Sequence, residues 1–210
     1  MASLELDPVR VTVSPWRRFP QLLLGLALYG ASMAMMTRAG LGLDPWDVLH
    51  DGLTKRTGLT FGTIVAITSV AVLLLWIPLR QRPGVGTVLN VVVISITVDL
   101  VRAVLPPQHS LWAQIPLLVG GVVLNGLATA AYVGTRLGPG PRDGLMTGLT
   151  ARTGFSVRVA RTAIEVAVLA AGWLLGGSVG LGTVLYAVTI GPLTQAFLPL
   201  VVWRHRAVRN

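Results

Sequence analysis

The sequence predicts an all-α polytopic membrane protein: six transmembrane helices in an inverted 3+3 repeat, each half with a short re-entrant or interfacial helix after its first crossing. Three observations predict it. Of 210 residues, 53% are hydrophobic and 12% charged, with a mean hydropathy of +0.71, a balance suited to lipid. The stretch from Gly42 to Gly58 returns, ungapped, as Gly138 to Gly154 about 96 positions later, with Pro45, Asp47, Gly52, Thr54, Arg56 and Gly58 restated as Pro141, Asp143, Gly148, Thr150, Arg152 and Gly154. Between and around these motifs lie apolar runs near the ~20 residues that a helix needs to span a bilayer.

In chain order, residues 1–15 are polar, contain Pro8 and Pro15 and lack the basic, apolar, small-residue succession of a cleaved signal. They read as a cytoplasmic tail. The first repeat, 16–105, opens with Trp16, Arg17 and Arg18 before an uncharged run from Phe19 to Thr37, the first crossing. The repeated motif then starts a short helix. Asp44 suits its N-cap and Pro45 its first position, while Asp47 stands where a carboxylate can bond free amides and meet the positive end of the dipole. Gly58 is placed to stop it after roughly three turns, too few to cross. Leu59 to Leu79 is the second crossing, followed by Arg80 and Arg82; Val85 to Leu105 is the third, ended by Pro106 and Pro107.

The second repeat, 112–203, follows the same plan. Trp112, Pro116, Gly121, Gly126 and Ala130 take the places of Trp16, Pro20, Gly25, Gly30 and Ala34, so Ile115 to Thr135 is the fourth crossing. Gly140, Pro141 and Asp143 begin the second short helix and Gly154 ends it. Val157 to Leu175 is the fifth crossing, with Arg158, Arg161 and Glu165 in its first half. The sixth runs from Gly180 to about Val202, and Gly191-Pro192 in its middle suggests a kink or break. Residues 204–210 read as a second cytoplasmic tail.

Three crossings per copy, an odd number, place the two copies in opposite senses. With both termini cytoplasmic, thirteen of the seventeen Lys and Arg fall on inner segments, and only Arg38, Lys55, Arg56 and Arg102 on outer ones. A count in which each short segment also spans gives eight crossings and parallel copies, but those segments are too short and too charged. The net charge of +9 follows this topology rather than a nucleic-acid surface. There is no Cys, and His50, His109 and His205 are scattered, so thiol chemistry is excluded and no metal or other cofactor is expected.

Short helices that begin with Pro and enter from opposite faces would point their amino ends at a shared site, where free amides favour an anion or a polar head group. The candidate substrate-binding residues are Pro45, Trp46, Asp47, Pro141, Arg142 and Asp143, with Thr54, Thr150 and Asn125. Asp99, Arg161 and Glu165 lie within crossings and are candidates for proton coupling or an ion pair; Glu165 follows Arg161 by four residues, on one helix face. Alternatively, Asp99 simply reaches head groups near Arg102. The competing arrangement lays the short helices on the membrane surface, with Trp46, Leu49 and Leu53 inward and Asp47, His50, Asp51 and Lys55 toward water. His50 reads as a solvated residue. Gly25, Gly30, Gly121, Gly126, Gly172 and Gly176 read as close-packing sites, and Tyr29, Tyr186, Thr189, Thr194 and Gln195 as interhelical hydrogen-bonding groups.

The duplicated Gly-x-Gly-x-x-Pro-x-Asp segment, present as Gly40-Leu41-Gly42-Leu43-Asp44-Pro45-Trp46-Asp47 and again around Gly138-Pro139-Gly140-Pro141-Arg142-Asp143, resembles the YczE/YyaS/YitT group of small bacterial integral membrane proteins. The similarity runs from about Arg17 to Arg206. The second copy departs from the pattern, with Arg136 for the first Gly and Arg142 for Trp. The resemblance implies a multi-spanning fold in the plasma membrane. Without a phosphate loop, a nucleophile–His pair or a nucleotide fingerprint, no enzyme is expected. The expectation is a secondary-transporter-like permease or exporter of a small amphipathic or anionic solute; the alternative is a non-transporting scaffold or regulatory partner. Expected partners are the lipid bilayer, an unknown small solute and a possible second copy of the chain, with no nucleic acid.

Overall fold

The computed structural model describes Val9 and residues 11–203; most of the tail expected at 1–15 and all of that at 204–210 lie outside the described residues. Within them the regular structure is helical: α1 (Pro15–Ala39), α2 (Pro45–Thr57), α3 (Phe61–Leu79), α4 (Val85–Val104), α5 (Leu111–Gly134), α6 (Pro141–Thr153), α7 (Val157–Leu174) and α8 (Leu181–Val201). Each helix of the second half begins 96 positions after its counterpart, Leu111 after Pro15, Pro141 after Pro45, Val157 after Phe61 and Leu181 after Val85.

Five helices, α1, α3, α4, α5 and α8, are long and apolar enough to cross a membrane. The run read as the fifth crossing forms α7, whose 18 residues include Arg158, Arg161 and Glu165 and so stand outside that set. α8 continues through Gly191-Pro192 without the expected break, with Pro192 on an exposed face.

α1 packs along α5 and α4, and α5 in turn along α8. The short helices exchange partners: α2 lies against α7 and α6 against α3, so each half holds the short helix of the other. Opposite side chains make the two contacts. Gly172 lets α7 approach the backbone of Val48 and Leu49 on α2, whereas Trp76 of α3 fills the space left by Gly144 of α6 and donates its indole N–H to the Pro141 carbonyl at 3.0 Å.

The loops before the short helices are fastened across the molecule. Gly42 (φ +108°) abuts Gly180 with no room for a side chain, and Gly138 (φ +133°) packs tightly on Gly84, both in a conformation only glycine adopts readily. The Gly182 N–H bonds the Leu41 carbonyl at 2.8 Å and the Gly86 N–H bonds the Leu137 carbonyl at 3.1 Å, while the Thr87 hydroxyl donates to the Pro139 carbonyl at 2.7 Å. At the far ends, Arg56 and Arg152 donate to the carbonyls of Leu175 and Pro78, where α7 and α3 finish.

The core is built on α1, with Leu22, Leu26 and Met33 against Phe61, Val65, Ile94 and Val98, and with Met36 and Ala39 against Leu118 and Val122. Gly25, Gly30, Gly121, Gly126 and Gly172 are close-packing sites as expected; Gly176 is not, for its surroundings are open and φ of +91° is what its turn requires. Arg18, read as a flanking charge, is fully buried and donates to the carbonyls of Thr135 (2.8 Å), Val13 (2.9 Å), Val9 and Arg136 (both 3.1 Å), tying the start of α1 to the end of α5.

Candidate functional site

The amino ends of α2 and α6 meet at the centre of the molecule. Asp44 is the N-cap of α2, and its Oδ1 accepts from the N–H groups of Trp46 (3.0 Å) and Asp47 (3.2 Å), with Pro45 at the first helical position. Asp47 does not bond the free amides as expected, since Asp44 already does. Its Oδ1 lies 3.0 Å from His50 Nδ1 instead. His50, read as solvated, is buried: α2 packs into the protein the face assigned to water, so the imidazole stacks edge-on to Phe61 and its Nε2 lies 2.9 Å from the Thr68 hydroxyl of α3.

The N-cap of α6 is Gly140, which has no side chain to cap the helix, and Pro141 is its first residue. Asp143 accepts a 3.0 Å bond from the Tyr132 hydroxyl. Arg142 crosses to the other half: its two terminal nitrogens lie 3.6 Å from Asp44 Oδ1 and 3.6 Å from Asp47 Oδ1, and its guanidinium is 5.0 Å from the centre of the Trp46 ring. The second carboxylate oxygens of Asp44 and Asp47 are buried without a hydrogen-bond partner.

A cavity of about 330 Å³ lies at this junction. The short helices and their caps contribute Asp44, Pro45, Trp46, Pro141, Arg142 and Asp143; the long helices contribute Tyr29, Tyr132, Tyr186 and Asn90 as polar wall groups, and α7 adds Arg161 and Glu165. The last two form an ion pair of 2.8 Å, half-exposed at Arg161. The dipole of α2 is met by its own carboxylate, and Arg142 lines the cavity while lying 3.6 Å from each of two acids. The cavity thus offers hydroxyl groups, both signs of charge and one helix amino end without a side-chain cap.

Of the substrate-binding candidates, Pro45, Trp46, Pro141, Arg142 and Asp143 line the cavity and Asp47 sits behind Arg142. Asn125 lies one bond away, donating to Ser32 Oγ (2.9 Å) and accepting from Tyr186 (3.0 Å). Thr54 and Thr150 are near the opposite ends of α2 and α6, their hydroxyls buried without partners. Asp99 stands apart from the cavity at the start of α3, accepting from the Gly62 N–H at 2.7 Å and from the Thr60 hydroxyl. Among the described residues no cluster of three His, Cys, Asp or Glu could hold a metal ion.

Sequence reasoning missed Tyr132 and Asn90 as cavity residues. A signal for Asn90 exists: at the 96-residue offset Asn90 pairs with Tyr186 and Tyr29 with Asn125, so the two halves exchange Tyr and Asn at two related positions. Tyr132 aligns with Met36 and has no such marker.

A family described as of unknown function, DUF6198, matches residues 16–199. An uncharacterized protein of Haemophilus influenzae is 40% identical over 86% of this chain and 83% of its own length. The uncharacterized membrane protein YczE of Bacillus subtilis is 36% identical over 81% of this chain and 80% of its own, and the uncharacterized protein YyaS of the same organism 28% identical over 89% and 94%. No solved structure matches.

Proposed function

We propose that this multi-pass membrane protein, which belongs to the DUF6198 family, is a permease or exporter of a small amphipathic or anionic solute. It works as a conduit rather than a catalyst. The observation that carries this is the meeting of two Pro-started, 13-residue helices at one cavity, with Arg142 of one reaching Asp44 and Asp47 of the other. Helices interrupted near mid-membrane, with amino ends turned toward a central site, are how inverted-repeat transporters hold their substrates.

In this reading α7 also crosses, as the fifth of six: Arg158 near its start extends to the inner head groups, and Glu165 is paired with Arg161. The halves then lie in opposite senses, α2 and α6 each dip halfway from opposite faces, and the Lys and Arg excess puts both termini in the cytoplasm of a bacterial cell bounded by this plasma membrane. The amino end of α6 and Arg142 receive the negative part of the solute. A non-transporting scaffold with its short helices flat on the surface would turn Asp47 and His50 to water, and their burial weighs against it.

Purified protein in proteoliposomes tests the proposal. Saturable flux of at least one organic anion or amphiphile, abolished in Arg142→Gln, is expected. The absence of flux, of proton current and of any ligand-induced thermal shift across a broad solute panel would remove it.

A further inference from the structure

We propose that the solute is a zwitterionic single-chain amphiphile that reaches the cavity sideways from the bilayer, between α7 and α8; this deepens the permease proposal and rests on its cavity.

The two halves differ at one seam. In the first, α3 and α4 pack along each other, because Gly62 lies against the Ser95 carbonyl with no room for a side chain and Asp99 accepts the Gly62 N–H and the Thr60 hydroxyl. The 96-residue offset puts Arg158, Gly191 and Gln195 where Gly62, Ser95 and Asp99 stand. A side chain at the Gly62 position would collide with the facing helix, so Arg158 forbids the same closure. α7 and α8 accordingly lack the packing that joins α3 to α4, and the space beside Gly191 is open.

This gap communicates with the cavity, whose lining includes Arg161, Ile164 and Glu165 from one side and Gly191, Thr194 and Gln195 from the other. At about 330 Å³ the cavity holds a head group, at the small end of ligand pockets, and a longer molecule must leave through the gap. On the face that carries Gly191 and Gln195, α8 exposes Val184 and Val188, apolar side chains that suit a hydrocarbon chain. The polar groups come in both signs: Arg161 with Glu165 at the mouth, Arg142 and Asp143 inside. A head of one sign would leave a partner of its own sign beside it in a low-dielectric site, whereas a zwitterion meets both.

The absence of native Cys allows a bimane fluorophore to be placed on Thr194→Cys as the sole label in full-length protein in phosphatidylcholine nanodiscs. Lysophosphatidylcholine with a nitroxide on its chain is the probe, and glycerophosphocholine, the head alone, the competitor. Saturable quenching, half-saturating at least fivefold higher in Gly191→Leu, which fills the gap, and in Arg158→Gly/Gln195→Asp, which rebuilds the closed seam, is expected, with no competition by glycerophosphocholine. Quenching linear in probe and equal in all variants would show contact with bulk lipid only and overturn the site. Competition by the head alone at the same concentration would overturn the lateral route in favour of an aqueous one. Flux of a water-soluble solute without lysolipid binding would remove this inference and leave the permease; saturable lysolipid binding without flux of any solute would do the reverse.

Discussion

Arg142 joins the two short helices, and although partly exposed itself it bridges two buried carboxylates. Asp44 and Asp47 are 2% and 0% exposed, so Arg142→Gln leaves two carboxylates without a counter-ion and should lower stability by about 3 kcal/mol, read as a depressed thermal midpoint in detergent. Unchanged stability would mean the 3.6 Å contacts carry no weight. Asp47→Asn and Asp143→Asn should reduce flux more than Asp51→Asn, since the first two stand at the junction while Asp51 accepts from the backbone and hydroxyl of Ser178 at 2.9 and 2.7 Å. The Asp51 change should appear in stability instead, and equal flux losses in all three would count against a common central site. At this scale the capping role of Asp44 was readable, because an Asp before a Pro-started helix is a local signal. The burial of His50 was not: periodicity gives a helix its faces, but the neighbour each face meets comes from residues far along the chain, here Thr68 and Phe61.

The eight helices were readable to within a few residues, since apolar runs, Pro starts and Gly stops are short-range features. α1 begins at Pro15 rather than Phe19, carrying Arg17 and Arg18 within it, because Arg18 finds carbonyl acceptors that no local pattern announces. The exchange of α2 and α6 between halves depends on single glycines at the contacts. Gly42→Ala should therefore destabilise more than Gly154→Ala: both have positive φ and lose about 1–2 kcal/mol to backbone strain, but only Gly42 also abuts another backbone, that of Gly180. Equal thermal shifts for the two would show that the crossing loops are not held tightly. Thr87→Val should cost a further about 1–3 kcal/mol in the same assay, leaving the Pro139 carbonyl and the Gly84 N–H without the hydroxyl that serves both.

For the whole molecule, the proposed opposite orientation of the halves makes a direct prediction about sidedness. In the cysteine-free chain, Arg56→Cys and Arg152→Cys lie at equivalent exposed ends of α2 and α6 and should react with a membrane-impermeant maleimide from opposite sides of intact cells and inverted vesicles. Labelling from one side only would reject the inverted arrangement. The sequence by itself determined a lipid-embedded helical protein, its duplication and the starts of its two short helices, because composition, repetition and capping act within a few residues or along one strand of text. Only the tertiary structure decided that each half clasps the short helix of the other, that Arg142 reaches Asp44 and Asp47 across the cavity, and that the seam closed at Gly62 stands open at Arg158. Those outcomes turn on which backbones can approach, a property of paired surfaces brought together from some hundred residues apart.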